Sequence, residues 1–167
     1  MAWTQPKTWS NEPLVAGDMN THLRDNLEAL KDPPQGGTDI DNSSNYSTTS
    51  TSFVDVDATD FSTTITTNGG DVLVTLCATI VGATNYAFFD IEVDGSRVGD
   101  DDGIIKSHCS STAQNFVTLY YWVKGLSSGS HTFKLQWKAS TGTITMFGGQ
   151  GAAGTQMHGQ WDVREVS

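Results

Sequence analysis

Asp71-Val72-Leu73-Val74-Thr75-Leu76-Cys77-Ala78-Thr79-Ile80-Val81 decides the fold class of this chain. Val72, Val74, Leu76, Ala78 and Ile80 recur at a period of two, so an extended backbone sends all five side chains to one face. Outward from this run the same rhythm returns. Ala87, Phe89, Ile91 and Val93 share a face in 86–94, and Phe133, Leu135 and Trp137 oppose Thr132, Lys134, Gln136 and Lys138 in 130–139. Five further segments, 52–57, 61–66, 114–124, 143–147 and 157–166, complete a set of eight expected strands. Asn68-Gly69-Gly70, Asp94-Gly95, the stretch 125–129 and Ser140-Thr141-Gly142 supply residues that tolerate the positive φ of tight turns. Helical periods do not intervene, which excludes a parallel α/β sheet. The expected fold is all-β, an eight-stranded antiparallel jelly-roll sandwich preceded by one short N-terminal α-helix, with an up-and-down barrel as the alternative.

One strand breaks the alternation. Phe116, Val117, Leu119, Tyr120, Tyr121, Trp122 and Val123 put bulky groups on both faces of 114–124, and Tyr86 and Phe88 lie opposite the face that carries Phe89 and Ile91. A sandwich strand has one core face, so the second must be covered by a loop, another subunit or a ligand. Tyr86, Phe88, Phe116, Tyr120 and Trp122 are the candidate interface or ligand-platform residues.

The first 34 residues follow a different logic, and three parts are expected: an attachment segment 1–34, a linker or arm 35–51 and a head 52–167. Helical spacing over 18–31 predicts a helix with Asp18 as N-cap, stopped by Asp32-Pro33-Pro34. Ala16, Asn20, Leu23, Leu27 and Leu30 have the 4-3-4-3 spacing of a coiled-coil seam. A helix about 20 Å long is too short to be stable alone in water, so its leucines must dock on the chain's own β-domain or on another chain. Trp3, Trp9 and Leu14 add apolar anchors upstream. Residues 35–51 are rich in Gly, Asn, Ser and Thr and read as the linker.

With 167 residues and a net charge of −10, the chain is one domain plus an appendage whose field repels nucleic-acid phosphates and anionic lipid. No stretch approaches the ~18 apolar residues of a membrane span, and the start lacks a secretory signal, so cytoplasmic synthesis is expected. Cys77 and Cys109 are too few for a disulfide framework and read as idle thiols.

Chemistry-bearing patterns are sparse. Asp100-Asp101-Asp102-Gly103, with Asp90, Glu92 and Asp94 upstream, is the densest acidic cluster, but it lacks the spacing and closing Glu of a calcium loop and reads as a solvated turn. Asp90 and Glu92 are expected to face solvent. His22, His108, His131 and His158 show no metal-ligand spacing, and His131 reads as a satisfied histidine at a sheet edge. The glycine-rich run 148–154 precedes a strand, not a helix N-terminus, and reads as a flexible connection. No catalytic residue, metal or cofactor is expected, and the chain reads as a non-enzyme.

Two signatures carry a resemblance. Thr8 through Leu30, with Met19-Asn20-Thr21-His22-Leu23-Arg24-Asp25-Asn26-Leu27, resembles an N-terminal module of tailed-phage structural proteins. The series Ile65-Thr66-Thr67-Asn68-Gly69-Gly70-Asp71-Val72-Leu73-Val74-Thr75, Asp94-Gly95, Ser128 through Lys138 and Val163-Arg164-Glu165-Val166 resembles the jelly-roll heads of phage fibre and decoration proteins, similar in fold to tumour-necrosis-factor and C1q heads. The resemblance implies a homotrimeric head on a virion. Trp3, Trp9, Leu14, Leu23, Leu27 and Leu30 would attach it to capsid, neck or tail proteins, and the aromatic second face would line the threefold axis or meet a host-surface glycan.

Overall fold

The computed structural model describes residues 5, 7–83, 85–150 and 158–166. Among these residues twelve strands form two antiparallel sheets: β1 (Gln35–Ile40), β2 (Tyr46–Thr48), β3 (Val54–Asp55), β4 (Ser62–Thr67), β5 (Gly70–Gly82), β6 (Asn85–Val93), β7 (Ser96–Arg97), β8 (Ile105–Cys109), β9 (Asn115–Leu126), β10 (Gly129–Ala139), β11 (Ile144–Met146) and β12 (Gly159–Glu165). In the first sheet β5 lies between β9 and the end-to-end pair β12 and β11, which in turn carry β1 and β2. In the second, β10 lies between β6 and the pair β4 and β3, and β6 carries β7 and β8 on its far edge.

The pairing is nested along the chain. β1 pairs with β12, β4 with β10, β5 with β9 and β6 with β8. With β1 and β2, β3 and β4, β7 and β8, and β11 and β12 each taken as one interrupted strand, this is the eight-stranded jelly roll and not the up-and-down barrel.

The alternation read from the sequence sets the core. Val72, Val74, Leu76, Ala78 and Ile80 of β5 face Ala87, Phe89 and Ile91 of β6 and Phe133, Leu135 and Trp137 of β10, all essentially solvent-free. Trp161 of β12 is fully buried, and its indole Nε1 donates across the interior to Thr63 Oγ1 of β4 at 3.0 Å. An indole N–H has no water inside a sandwich, so this bond settles the one polar group that Trp161 brings to the core.

Three expectations are corrected. Residues 35–51 are not a linker: β1 and β2 are strands of the first sheet, and Ile40 and Tyr46 belong to the core. Gln35-Gly36-Gly37-Thr38-Asp39-Ile40 hides its strand character because a Cβ on Gly36 would come within 2.7 Å of Thr63 Cγ2, so the packing demands a residue of low strand propensity. β7 and β8 lie in a stretch, 95–113, where no strand was expected, and they flank the exposed turn 100–103. The strand expected over 52–57 is only two residues long, β3.

The helix begins earlier than expected, as α1 (Ala16–Met19), and runs through a π-helical segment (Asn20–Arg24) into α2 (Asp25–Lys31). Val15 holds the N-cap position without a side-chain bond, and Asp18 instead pairs with Lys7 Nζ at 2.5 Å. A carboxylate engaged by an ammonium leaves the first-turn N–H groups to water. The Lys7 ammonium is thereby held above its ordinary value by Asp18 first and Glu12 second. The π-helical segment spoils the strict 4-3-4-3 seam, since its wider turn rotates all that follows.

Candidate functional site

Inward-facing Val117, Leu119, Tyr121 and Val123 anchor β9 to the core, and the Tyr121 hydroxyl donates to the Val98 carbonyl at 3.4 Å. The pleat must then turn Phe116, Thr118, Tyr120 and Trp122 outward. Phe116 is 66% exposed, Tyr120 67% and Trp122 48%. Their cross-strand neighbours on β5 are Thr79 beside Phe116, Cys77 beside Thr118, Thr75 beside Tyr120 and Leu73 beside Trp122. None of these eight residues is charged, on a chain whose net charge is −10. The three rings expose roughly 350–400 Å² of aromatic surface in one stripe, as large as the biggest patch on a typical monomer. Among the described residues β9 pairs only with β5, which leaves its other edge unpaired within the described sheet.

Tyr86 and Phe88 do not join this stripe. They lie on the outer face of the second sheet, and only Tyr86 is open, at 41% exposed. Phe88 is buried because its two cross-strand neighbours are lysines: Lys138 Nζ stands 5.1 Å and Lys106 Nζ 5.4 Å from its ring centroid. Lys106 also caps Tyr86 at 4.0 Å, and His108 meets Tyr86 edge-on at 5.4 Å. The lysine ammonium groups thus stand over the aromatic rings, and that of Lys138 is held there by the Asp101 carbonyl and Asp102. The sequence signal was available, since Lys106 and Lys138 are the register partners of Phe88, but it required knowing the pairing.

The acidic residues are mostly engaged. Asp90 is not solvent-facing as expected but fully buried beneath the segment 98–104, where Oδ1 accepts from the Ile91 and Gly99 amides and Oδ2 pairs with Arg97 Nη1 at 3.0 Å. Desolvation raises its pKa, and those two amides and Arg97 oppose the rise. Asp102 pairs with Lys138 at 2.9 Å. Among the described residues no group of three His, Cys, Asp or Glu side chains could hold a metal ion. A polar recess of about 280 Å³ opens where β1 ends, lined by Asp39, Asp41, Asn42, Tyr46, Asp60 and Gln150. Its chemistry is already satisfied: the Tyr46 hydroxyl and Asn42 Nδ2 both donate to Asp60 Oδ2. Burial first, and Asp60 second, push the Tyr46 phenol well above its ordinary value.

Of the expected attachment residues, Leu14, Leu23, Leu27 and Leu30 are 68%, 44%, 65% and 66% exposed, and Trp9 is 37% exposed with Lys7 Nζ 5.2 Å from its ring. Trp3 lies outside the described residues, as does most of the run 148–154. The leucines of α2 are therefore not packed into the chain's own sandwich. Cys77 and Cys109 are both free thiols. Burial raises the Cys109 pKa and thereby withholds its thiolate.

His131 is buried at the start of β10, as a satisfied histidine should be. Its Nδ1 lies 2.6 Å from Asp94 Oδ2 and its Nε2 2.9 Å from the Ser127 carbonyl oxygen. Asp94 Oδ1 also accepts from the Thr132 amide at 2.8 Å. These bonds tie the turn between β6 and β7 to the turn between β9 and β10.

No family model and no curated protein matches this chain. Solved structures that resemble it include an active site mutant of a family two carbohydrate esterase from Clostridium thermocellum, at 16% identity and a TM-score of 0.28 over 69% of this chain and 30% of that one. An exo-β-1,3-galactanase from Phanerochaete chrysosporium matches at 16% identity and 0.32, over 67% of this chain and 29% of that one. The Gx strain of infectious bursal disease virus matches at 11% identity and 0.39, over 81% of this chain and 37% of that one. The chain thus spans about a third of the length of these proteins.

Proposed function

We propose that this chain is a non-enzymatic structural protein of a tailed-phage particle: a self-associating, trimeric jelly-roll head, fixed to neighbouring virion proteins by its N-terminal helical segment. The observation that carries this reading is the charge-free aromatic stripe of Phe116, Tyr120 and Trp122 on a chain that carries a net charge of −10. Copies of a strongly acidic protein repel one another wherever charged surfaces meet, so an uncharged stripe is where a second copy approaches at least cost. The exposed leucines of α2 support the attachment role, because a helix this short needs an apolar partner that its own sandwich does not provide. The triple variant Leu23→Asp, Leu27→Asp, Leu30→Asp keeps the folded head and its self-association but loses incorporation into particles. Incorporation at the level of the unaltered protein would refute the attachment role.

A glycan-binding head is the second reading, favoured by the open rings of Tyr120 and Trp122 beside the hydroxyls of Thr75 and Thr118. Such rings stack on sugar faces. A glycan array with the full-length protein separates the two, since a stripe buried between copies binds no sugar.

A further inference from the structure

We propose that His131 is a proton-operated clasp at the turn end of the sandwich: as an imidazolium it bridges Asp94 to Ser127, and on losing one proton it releases the turn between β9 and β10 while keeping its hold on Asp94. The geometry requires the charged ring. Both ring nitrogens face atoms that can only accept, a carboxylate oxygen at 2.6 Å and a carbonyl oxygen at 2.9 Å. A neutral imidazole carries one N–H and can satisfy only one of them. The carboxylate wins that proton, because a bond to a charged acceptor is the stronger of the two. The bare Nε2 lone pair then points at the lone pairs of the Ser127 carbonyl, and the turn must move away.

The neighbourhood decides which side gives. Asp94 is fixed a second time by the Thr132 amide, and it holds a positive φ of 50° in a turn completed by Gly95. Ser127 has lighter tethers: Thr67 Oγ1 donates to its carbonyl at 2.8 Å and to that of Gly129 at 3.3 Å, and Ser128 Oγ donates back to the Thr67 carbonyl at 3.3 Å. Among the described titratable side chains, Asp94 is the one bonded to the ring. Glu165 is committed to the Asn68 amide and side chain, and Asp71 Oδ1 accepts from the Gly125 amide. The His131 pKa is raised, first by Asp94 and then by the Ser127 carbonyl, which agrees with the geometry.

The test is 15N-detected NMR of the full-length protein with labelled histidine, together with amide exchange across pH 6 to 9. Both His131 nitrogens are expected to carry protons at pH 6, with a titration midpoint above that of a free imidazole. Through that midpoint, protection of the amides in 127–130 is expected to fall about threefold to tenfold more than that of Thr132. His131→Gln, which donates but does not titrate, abolishes the pH-dependent loss, and Asp94→Asn lowers the midpoint by about half a unit or more. A neutral tautomer at pH 6, an unmoved midpoint in Asp94→Asn, or 127–130 and Thr132 changing in parallel would overturn the clasp. Should His131→Gln fail to fold, the Asp94→Asn midpoint alone decides.

Discussion

Replacing Tyr120 and Trp122 together by Ser separates folding from association. Tyr120 is 67% and Trp122 48% exposed, so folding already buries about a third of the one and half of the other. The free energy of unfolding of the isolated chain is expected to fall by about 1 to 2 kcal/mol, from that buried part and from the lower strand propensity of Ser. The same change removes roughly 250 Å² of aromatic surface from each copy. At ~25 cal/mol per Å² that surface is worth about 6 kcal/mol if wholly buried between copies, and about 3 kcal/mol if half is, which corresponds to a weakening of roughly 150-fold. Sedimentation equilibrium over a wide concentration range reads the association, and urea denaturation below the dissociation constant reads the fold. An association constant within threefold of the unaltered protein refutes the stripe as the interface. A loss of unfolding free energy above about 2 kcal/mol shows instead that the rings serve the fold.

Trp161→Phe should cost about 2 kcal/mol in urea denaturation, with ~1 from the lost bond to Thr63 and a similar amount from the space left by the smaller ring. Adding Thr63→Val should recover about half, because the stranded hydroxyl goes with it, and a further loss instead would refute the cross-sheet bond. The stability profile against pH should show a plateau flanked by two losses. The Asp94 pKa is lowered from 3.8, by the Thr132 amide first and His131 second, so its contribution is present above that value and is lost as pH falls through the lower folded one. The His131 pKa is raised from 6.5, so its contribution is full below that value and is lost as pH rises through the higher folded one. Between pH 6 and 9 the decline should be only about 1 kcal/mol, since the Asp94 side chain is 48% exposed and its pairing is screened. His131→Gln removes this alkaline decline, and persistence of the decline in that variant would assign it to another group.

The sandwich was legible where one face is buried and the other more open, as in β5 and most of β10, because there burial alone dictates the alternation. It was illegible where close approach overrides propensity. Gly36 lets β1 lie against Thr63 and Ile65, and that same glycine makes the segment read as a linker. Asp90 misled for a related reason: its parity places it outward, and only the long-range fold-over of 98–104 buries it. Phe116, Tyr120 and Trp122 stood out as a second apolar face from sequence alone, whereas grouping Tyr86 and Phe88 with them failed. Strand parity says which residues share a face of one strand and is silent on which sheet that strand joins.

Nested pairing also sets an order of events during synthesis. Gln35 finds its partner in Arg164 and Ile40 in Gly159, so β1 emerges from the ribosome long before the strand that completes it. Until residue 165 is free, the first sheet holds an unsealed seam, and sealing it is a slow, topologically distant step. A roll built in this way winds shut only after its leading helix has long been available, so the exposed leucines of that rod are presented before the sandwich is sealed.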